Sequence, residues 1–229
     1  MHKETSYLGI DLAWGRKNFS ALTLMMGNRV IQTVYLQSDE AILDYIYAIK
    51  PDKIAVDAAL EVKNESGTRA VERALLKDFA QYKLGIYPIN KKIMDRLYGG
   101  NRAEELFARL HAYTLRENLF EVYTHATIIR CFTQNSVLPY KRKKGRTTAF
   151  IKEQLTLLQN FLLDATCGLE PYDISISNTR ELKIIEDKLD SIVCAYSLHR
   201  AACVGFDSYD GLLVVPKASN HLTTDLETV

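Results

Sequence analysis

The chain has little of what marks the specialised protein classes. Of 229 residues only 4 are Cys, 5 Pro, 11 Gly and 1 Trp, too few for a disulfide scaffold, a collagen-like repeat or a low-complexity linker. Cys131, Cys167, Cys194 and Cys203 form no Cys-x-x-Cys pair and stand among apolar neighbours, so neither structural zinc nor a redox pair is expected. Neither sign of charge dominates: 29 Lys and Arg face 28 Asp and Glu, a formal net charge of +1. That balance excludes a wholly basic nucleic-acid coat and an acidic tail protein. No apolar run reaches the ~18 residues of a membrane span, and the first apolar stretch is broken by Asp11 and Arg16, unlike a signal peptide. The expectation is a reduced, cytoplasmic protein with no membrane partner. What is present, 47% hydrophobic and 25% charged residues, suffices for a real core, since a chain of this length buries roughly 70% of its unfolded surface.

The even charge balance hides an uneven distribution. Lys141, Arg142, Lys143, Lys144 and Arg146 crowd into six positions, leaving the rest mildly acidic. The run reads either as a solvated loop or as a phosphate-contacting segment, which would position a polyanion without reading its sequence.

Periodicity predicts an α/β order. Tyr7 to Leu12, Phe19 to Met26 and Arg29 to Gln37 read as strands, the last two joined by the hairpin turn Gly27-Asn28. A helix capped by Ser38 or Asp39 runs to Pro51, and Lys53 to Asp57 is the next strand. Helices are expected over Arg69 to Lys83 and Arg102 to Glu117, with Gly85 to Ile89 between them returning to the sheet. Then come a strand at Phe120 to Tyr123, a short helix at His125 to Thr133, long helices at Thr147 to Ala165 and Glu181 to Cys203, and a strand at Leu212 to Val215. The polar end, Lys217 to Val229, is expected to fray.

Acidic residues fall where a solvated surface would not put them. Asp11 and Asp57 each close an apolar strand, and Glu121 lies within Leu-Phe-Glu-Val-Tyr. Ligands gather at the carboxyl ends of strands in α/β sheets, and carboxylates brought together there are costly unless a cation neutralises them. Asp187 and Asp190, spaced i,i+3, share one face of the last helix. That face reads either as exposed, with Glu181, Lys183 and Lys188, or as further oxygen ligands. Oxygen-only donors suit Mg²⁺ or Mn²⁺ rather than zinc, and two such ions ~3.5–4 Å apart can activate a water and stabilise a leaving oxygen.

Five segments carry a resemblance: Gly-Ile-Asp-Leu-Ala-Trp at 9–14, Ile-Ala-Val-Asp-Ala at 54–58, Phe-Glu-Val-Tyr-Thr at 120–124, Glu-Asp-Lys-Leu-Asp-Ser-Ile-Val-Cys-Ala at 186–195 and Asp-Gly-Leu-Leu-Val-Val-Pro at 210–216. In this order they resemble the domain of unknown function 429 family of predicted nucleases with the ribonuclease H-like fold. More distantly, an Asp on the first strand, an acid on the fourth and an Asp-x-x-Asp on the last helix are similar to the Holliday-junction resolvases of the same superfamily. The resemblance implies a mixed sheet, a three-strand meander and then parallel strands, flanked by helices. The domain would span 1–216 with a helical insertion at about 61–118, followed by a polar tail at 217–229. It also implies a metal-dependent nuclease in which Asp11, Asp57, Asp187 and Asp190 hold Mg²⁺ or Mn²⁺, and Glu121 lines or supports the site. Lys141, Arg142, Lys143, Lys144 and Arg146 would then contact nucleic acid. The family pattern is Glu-Val-Tyr-Pro, and this chain has Thr124 in place of the proline. Trp14 reads equally as core or as a stacking partner for a base. His125 reads as a helix-cap neighbour.

Two other classes stay open. A phosphotransferase or ATPase of the same fold would need Gly-rich phosphate turns, which Asp11-Leu-Ala and Asp57-Ala-Ala lack. An inactive nucleic-acid-binding module would have no need of the carboxylates. DNA or RNA, branched or single-stranded, monomer or homodimer are not distinguished.

Overall fold

The structure is a computed structural model that describes residues 4–218; the expected polar tail from 217 onward lies almost wholly outside the described residues. Strands β1 (Ser6–Asp11), β2 (Ser20–Met26) and β3 (Arg29–Leu36) form the antiparallel meander. Helix α1 (Asp39–Ile49) starts where the Ser38 hydroxyl accepts from the Ala41 N–H and ends at Lys50 in a left-handed conformation. It carries the chain back to β4 (Lys53–Val56), parallel to β1. With β5 (Leu119–Glu121), β6 (Phe206–Tyr209) and β7 (Leu213–Pro216), these make a seven-stranded sheet of order β3-β2-β1-β4-β5-β7-β6. The mixed α/β sheet, meander first and parallel strands after, is as expected.

Between β4 and β5 lie α2 (Ala70–Asp78), α3 (Lys91–Tyr98) and α4 (Arg102–Phe107). Three expectations fail here. The helix read over Arg102 to Glu117 stops at Phe107. Beyond it the chain turns tightly, Leu110 N–H donating to the Phe107 carbonyl and Tyr113 N–H to that of Leu110, while the Asn118 side chain captures the Thr114 N–H; such local bonds compete with the helical ladder. The helix read to Lys83 ends at Asp78. Gly85 to Ile89 forms no strand, because β7 already pairs with the free edge of β5. α3 was not anticipated at all, although Asn90 caps it and Gly99 closes it in a left-handed conformation.

After β5 come the short α5 (Thr124–Ile128), one wider turn at Ile129–Thr133, α6 (Thr148–Ala165) and α7 (Thr179–Val204). A capping box starts α7: Asn178 accepts from the Arg180 and Glu181 N–H groups, and Glu181 accepts from the Asn178 N–H. Alternating residues of β1 split the core, Tyr7 packing on the α6–α7 face and Leu8 and Ile10 on the α1–α4 face. α7 presses directly on β1 at Gly9, where a Cβ would lie 2.1 Å from the Ser191 carbonyl oxygen and 2.2 Å from the Ala195 nitrogen. Only glycine permits that approach. It sets the helix so that one turn before Ser191 lies over the Asp11 end of the strand. Burial of Leu182, Leu189, Ile192 and Val193, at about 1.5–3 kcal/mol each, holds the helix in that register. All four cysteines are free thiols, and no helix among the described residues is long and apolar enough to cross a membrane.

Candidate functional site

The carboxyl ends of β1 and β4 open into a cleft of ≈ 850 Å³. Asp11 and Asp57 arrive there together because Ile10 pairs with Val56 in parallel register and the Asp57 N–H donates to the Ile10 carbonyl. Asp57 Oδ2 accepts from the Thr124 hydroxyl at 3.0 Å. The hydroxyl therefore uses the position where the family pattern has proline to orient a carboxylate, which proline could not do. Thr124 opens α5, a position where proline is also tolerated.

Asp187 and Asp190 do not form an exposed polar face. Both are buried, Asp190 completely. Asp190 Oδ1 accepts from the Tyr140 hydroxyl and Oδ2 from the Lys141 ammonium, each at 2.6 Å. Asp187 Oδ2 accepts from the Tyr35 hydroxyl at 2.9 Å and Oδ1 pairs with Lys183 at 2.7 Å. The Asp11 carboxylate accepts from no donor among the described residues.

Electrostatically the four aspartates are one neighbourhood containing two ammonium groups. Burial pushes the Asp11 carboxyl well above its usual range; Lys141 opposes this, and Asp190, Asp187 and Asp57 add to it. Asp57 is raised to about 6 by the same balance, burial first. For Lys141, burial alone would lower the ammonium pKa, but Asp190, Tyr140, Asp11 and Asp57 hold it well above the usual lysine value. His125, in the same wall, is lowered to about 4 by burial and by Lys141, so it is neutral at pH 7.

Glu121 reaches the cleft wall but is fully engaged. Arg69 donates Nη1 to Oε1 at 2.8 Å and Nη2 to Oε2 at 2.9 Å, the Leu60 N–H adds a 2.6 Å bond to Oε1, and Arg69 Nε holds Glu72 at 2.8 Å. The basic run divides. Lys141 turns inward onto Asp190, and Lys143 also lines the cleft. Arg142 and Arg146 line a smaller neighbouring groove, and exposed Lys144 lines neither. Trp14 packs edge-on against Tyr98, ring centroids 5.2 Å apart. Its loop is pinned by buried Arg102, which donates to the Ala13 and Gln37 carbonyls and to Asp39.

Among the described residues no three His, Cys, Asp or Glu side chains converge closely enough to form a metal-ligand set. Asp187 and Asp190 are committed to their tyrosines and lysines, so the available donors are Asp11 and the free oxygen of Asp57. This pair fits a hard divalent cation of the Mg²⁺ kind, which takes one or two carboxylates and completes its shell with water and substrate phosphate. Sequence reasoning missed Tyr35, Tyr140 and Arg69 and the roles of Thr124 and Lys183, because no local pattern signals which distant carboxylate a hydroxyl, ammonium or guanidinium will meet.

A family model described as Protein of unknown function (DUF429) matches residues 9–205, spanning both strand-end aspartates and all of α7. No curated protein and no solved structure matches the chain.

Proposed function

We propose, from the premise that the chain belongs to the DUF429 family, that it is a Mg²⁺- or Mn²⁺-dependent nuclease of ribonuclease H-like type, hydrolysing phosphodiester bonds at the Asp11–Asp57 end of the sheet. The observation that carries this reading is the Asp11–Asp57 pair: two carboxylates on adjacent parallel strands, short of donors, among more acids than lysines. Without a cation such a pair avoids its own repulsion by taking up protons. A divalent ion, when bound, supplies an activated water and neutralises charge on the leaving oxygen.

The chain's own residues do the rest. Asp11 and Asp57 form the protein side of the ion's shell, and the Thr124 hydroxyl keeps Asp57 turned toward it. The Lys141 ammonium, tied to Asp190, presents positive charge to a phosphate entering the cleft, with Lys143 beside it. Tyr35 and Lys183 keep Asp187 from adding a further free negative charge at the mouth.

The test is cleavage of end-labelled single strands, branched DNA and RNA–DNA hybrids with Mg²⁺ or Mn²⁺, by wild type and Asp11→Asn. Metal-dependent cleavage by wild type that falls about a thousandfold in the variant, roughly 4 kcal/mol of transition-state stabilisation, supports the reading. No cleavage of any substrate, or equal cleavage by the variant, sinks it.

A further inference from the structure

We infer that the cleft binds an unpaired nucleotide of a single strand, its base against the Phe19–Tyr35 stack and its phosphate toward the strand-end aspartates. The phosphate half rests on the nuclease reading; the base half stands on separate observations. Phe19 and Tyr35 lie almost parallel, 8° between planes and 5.0 Å between centroids, and Phe19 remains 43% exposed. An exposed phenyl face in a cleft wall is a ready stacking platform, and every base has a π face to offer it. The Tyr35 hydroxyl is bound to Asp187, so the platform is held directly beside the acidic cluster.

A second aromatic, Tyr87, is 65% exposed on the Gly85–Ile89 segment. That segment is bound to the β5 side, the Tyr123 hydroxyl donating to the Gly85 carbonyl. In sheet order the aspartates of β1 and β4 thus lie between the two aromatic walls. His125 adds a polar atom in the lining: its Nδ1 is buried with no hydrogen-bond partner, unusual for a buried ring nitrogen and understandable where a ligand or water completes it. A cleft of ≈ 850 Å³ falls within the ~300–1,000 Å³ that envelops a drug-sized ligand, room to enclose a nucleotide or two, and only a base free of its pairing and stacking partners can lie on the Phe19 ring. Lys141 and Lys143 at the same cleft favour an anion over a neutral aromatic ligand.

Trp14 is the chain's only tryptophan and lines this cleft, so its emission reports occupancy. Wild type, with Ca²⁺ supplied as the hard divalent ion in place of Mg²⁺ and strand integrity checked on a gel, is titrated with a DNA hexamer, an RNA hexamer of the same sequence, the corresponding duplex and inorganic phosphate; anisotropy of labelled strands gives an independent affinity. The expected result is saturable binding of one or both single strands, at least tenfold tighter than the duplex. Phe19→Ala should weaken it roughly tenfold and Phe19→Tyr restore it, with unchanged melting of both variants. Equal binding of duplex, an equal response to phosphate alone, no strand binding, or an unaffected Phe19→Ala overturns the inference. Strand binding without metal-dependent cleavage would retire the nuclease reading and keep this one. Cleavage of duplex with no preference for single strands would do the reverse.

Discussion

Two acidic clusters line the same cleft and meet their electrostatic problem in opposite ways. Around Arg69, Glu121 and Glu72 have donors on all their oxygens, from the guanidinium and from the Leu60 and Arg69 N–H groups. Around Asp11 and Asp57, one carboxylate has no donor and the other has a single hydroxyl. The first cluster locks the segment between β4 and α2 onto β5. The second is left electrostatically unfinished at the point where the strands end. Burial of an acid is therefore a weak sign of function by itself; burial without donors is the informative state.

The largest expected effect separates the clusters by stability. Arg69→Leu strands two buried carboxylates and should cost about 3–5 kcal/mol in urea unfolding, whereas Asp11→Asn should cost none; comparable losses would erase the distinction. Next, Mn²⁺ at a hundredfold its dissociation constant should stabilise wild type by about 2.7 kcal/mol. Asp11→Asn and Asp57→Asn should lose that stabilisation, and Glu121→Gln, if folded, should keep it. Transfer of the effect to Glu121 would mean the wrong cluster was chosen.

A smaller effect follows from Asp57, whose carboxyl is raised to about 6. Between its ordinary value near 4 and about 6 the folded chain holds more protons than the unfolded one, so without metal this contribution to stability is full below about pH 4 and lost as pH rises through about 6. The cleft admits water, so the loss is on the order of 1–2 kcal/mol rather than the full value of the shift. In chelator at pH 7.5, Asp57→Asn should therefore be the more stable protein by that amount and its pH profile flatter. A less stable Asp57→Asn would show the pair already compensated. The smallest effect belongs to Lys144, which lines neither groove: Lys144→Ala should change single-strand affinity and stability by less than about 0.5 kcal/mol, while Lys143→Ala weakens binding.

Much of this was legible in the chain. The hairpin at Gly27-Asn28, the Ser38 cap and the acid closing each of two apolar strands rest on local rules, because turn geometry, capping and strand period are set by neighbouring residues. β6 was missed since Phe-Asp-Ser-Tyr is an edge strand with one buried residue, and its alternation is too weak to read. Arg102 to Glu117 was overextended because apolar spacing survives in tight turns that bury Leu110 as a helix would. The i,i+3 spacing put Asp187 and Asp190 on one face of α7, but spacing cannot say which face meets the protein.

The sequence by itself determined the meander, the return to β4, the two long helices, the two strand-end aspartates and the basic run, because each depends on residues adjacent in the chain. Only the tertiary structure decided which acids are satisfied. Gly9 lets α7 close on β1, Lys141 leaves the basic run for Asp190, and Arg69 takes Glu121. Those pairings join residues far apart in sequence, and charge compensation acts through space, so only the folded chain reveals that Asp11 and Asp57 are the acids left short of donors.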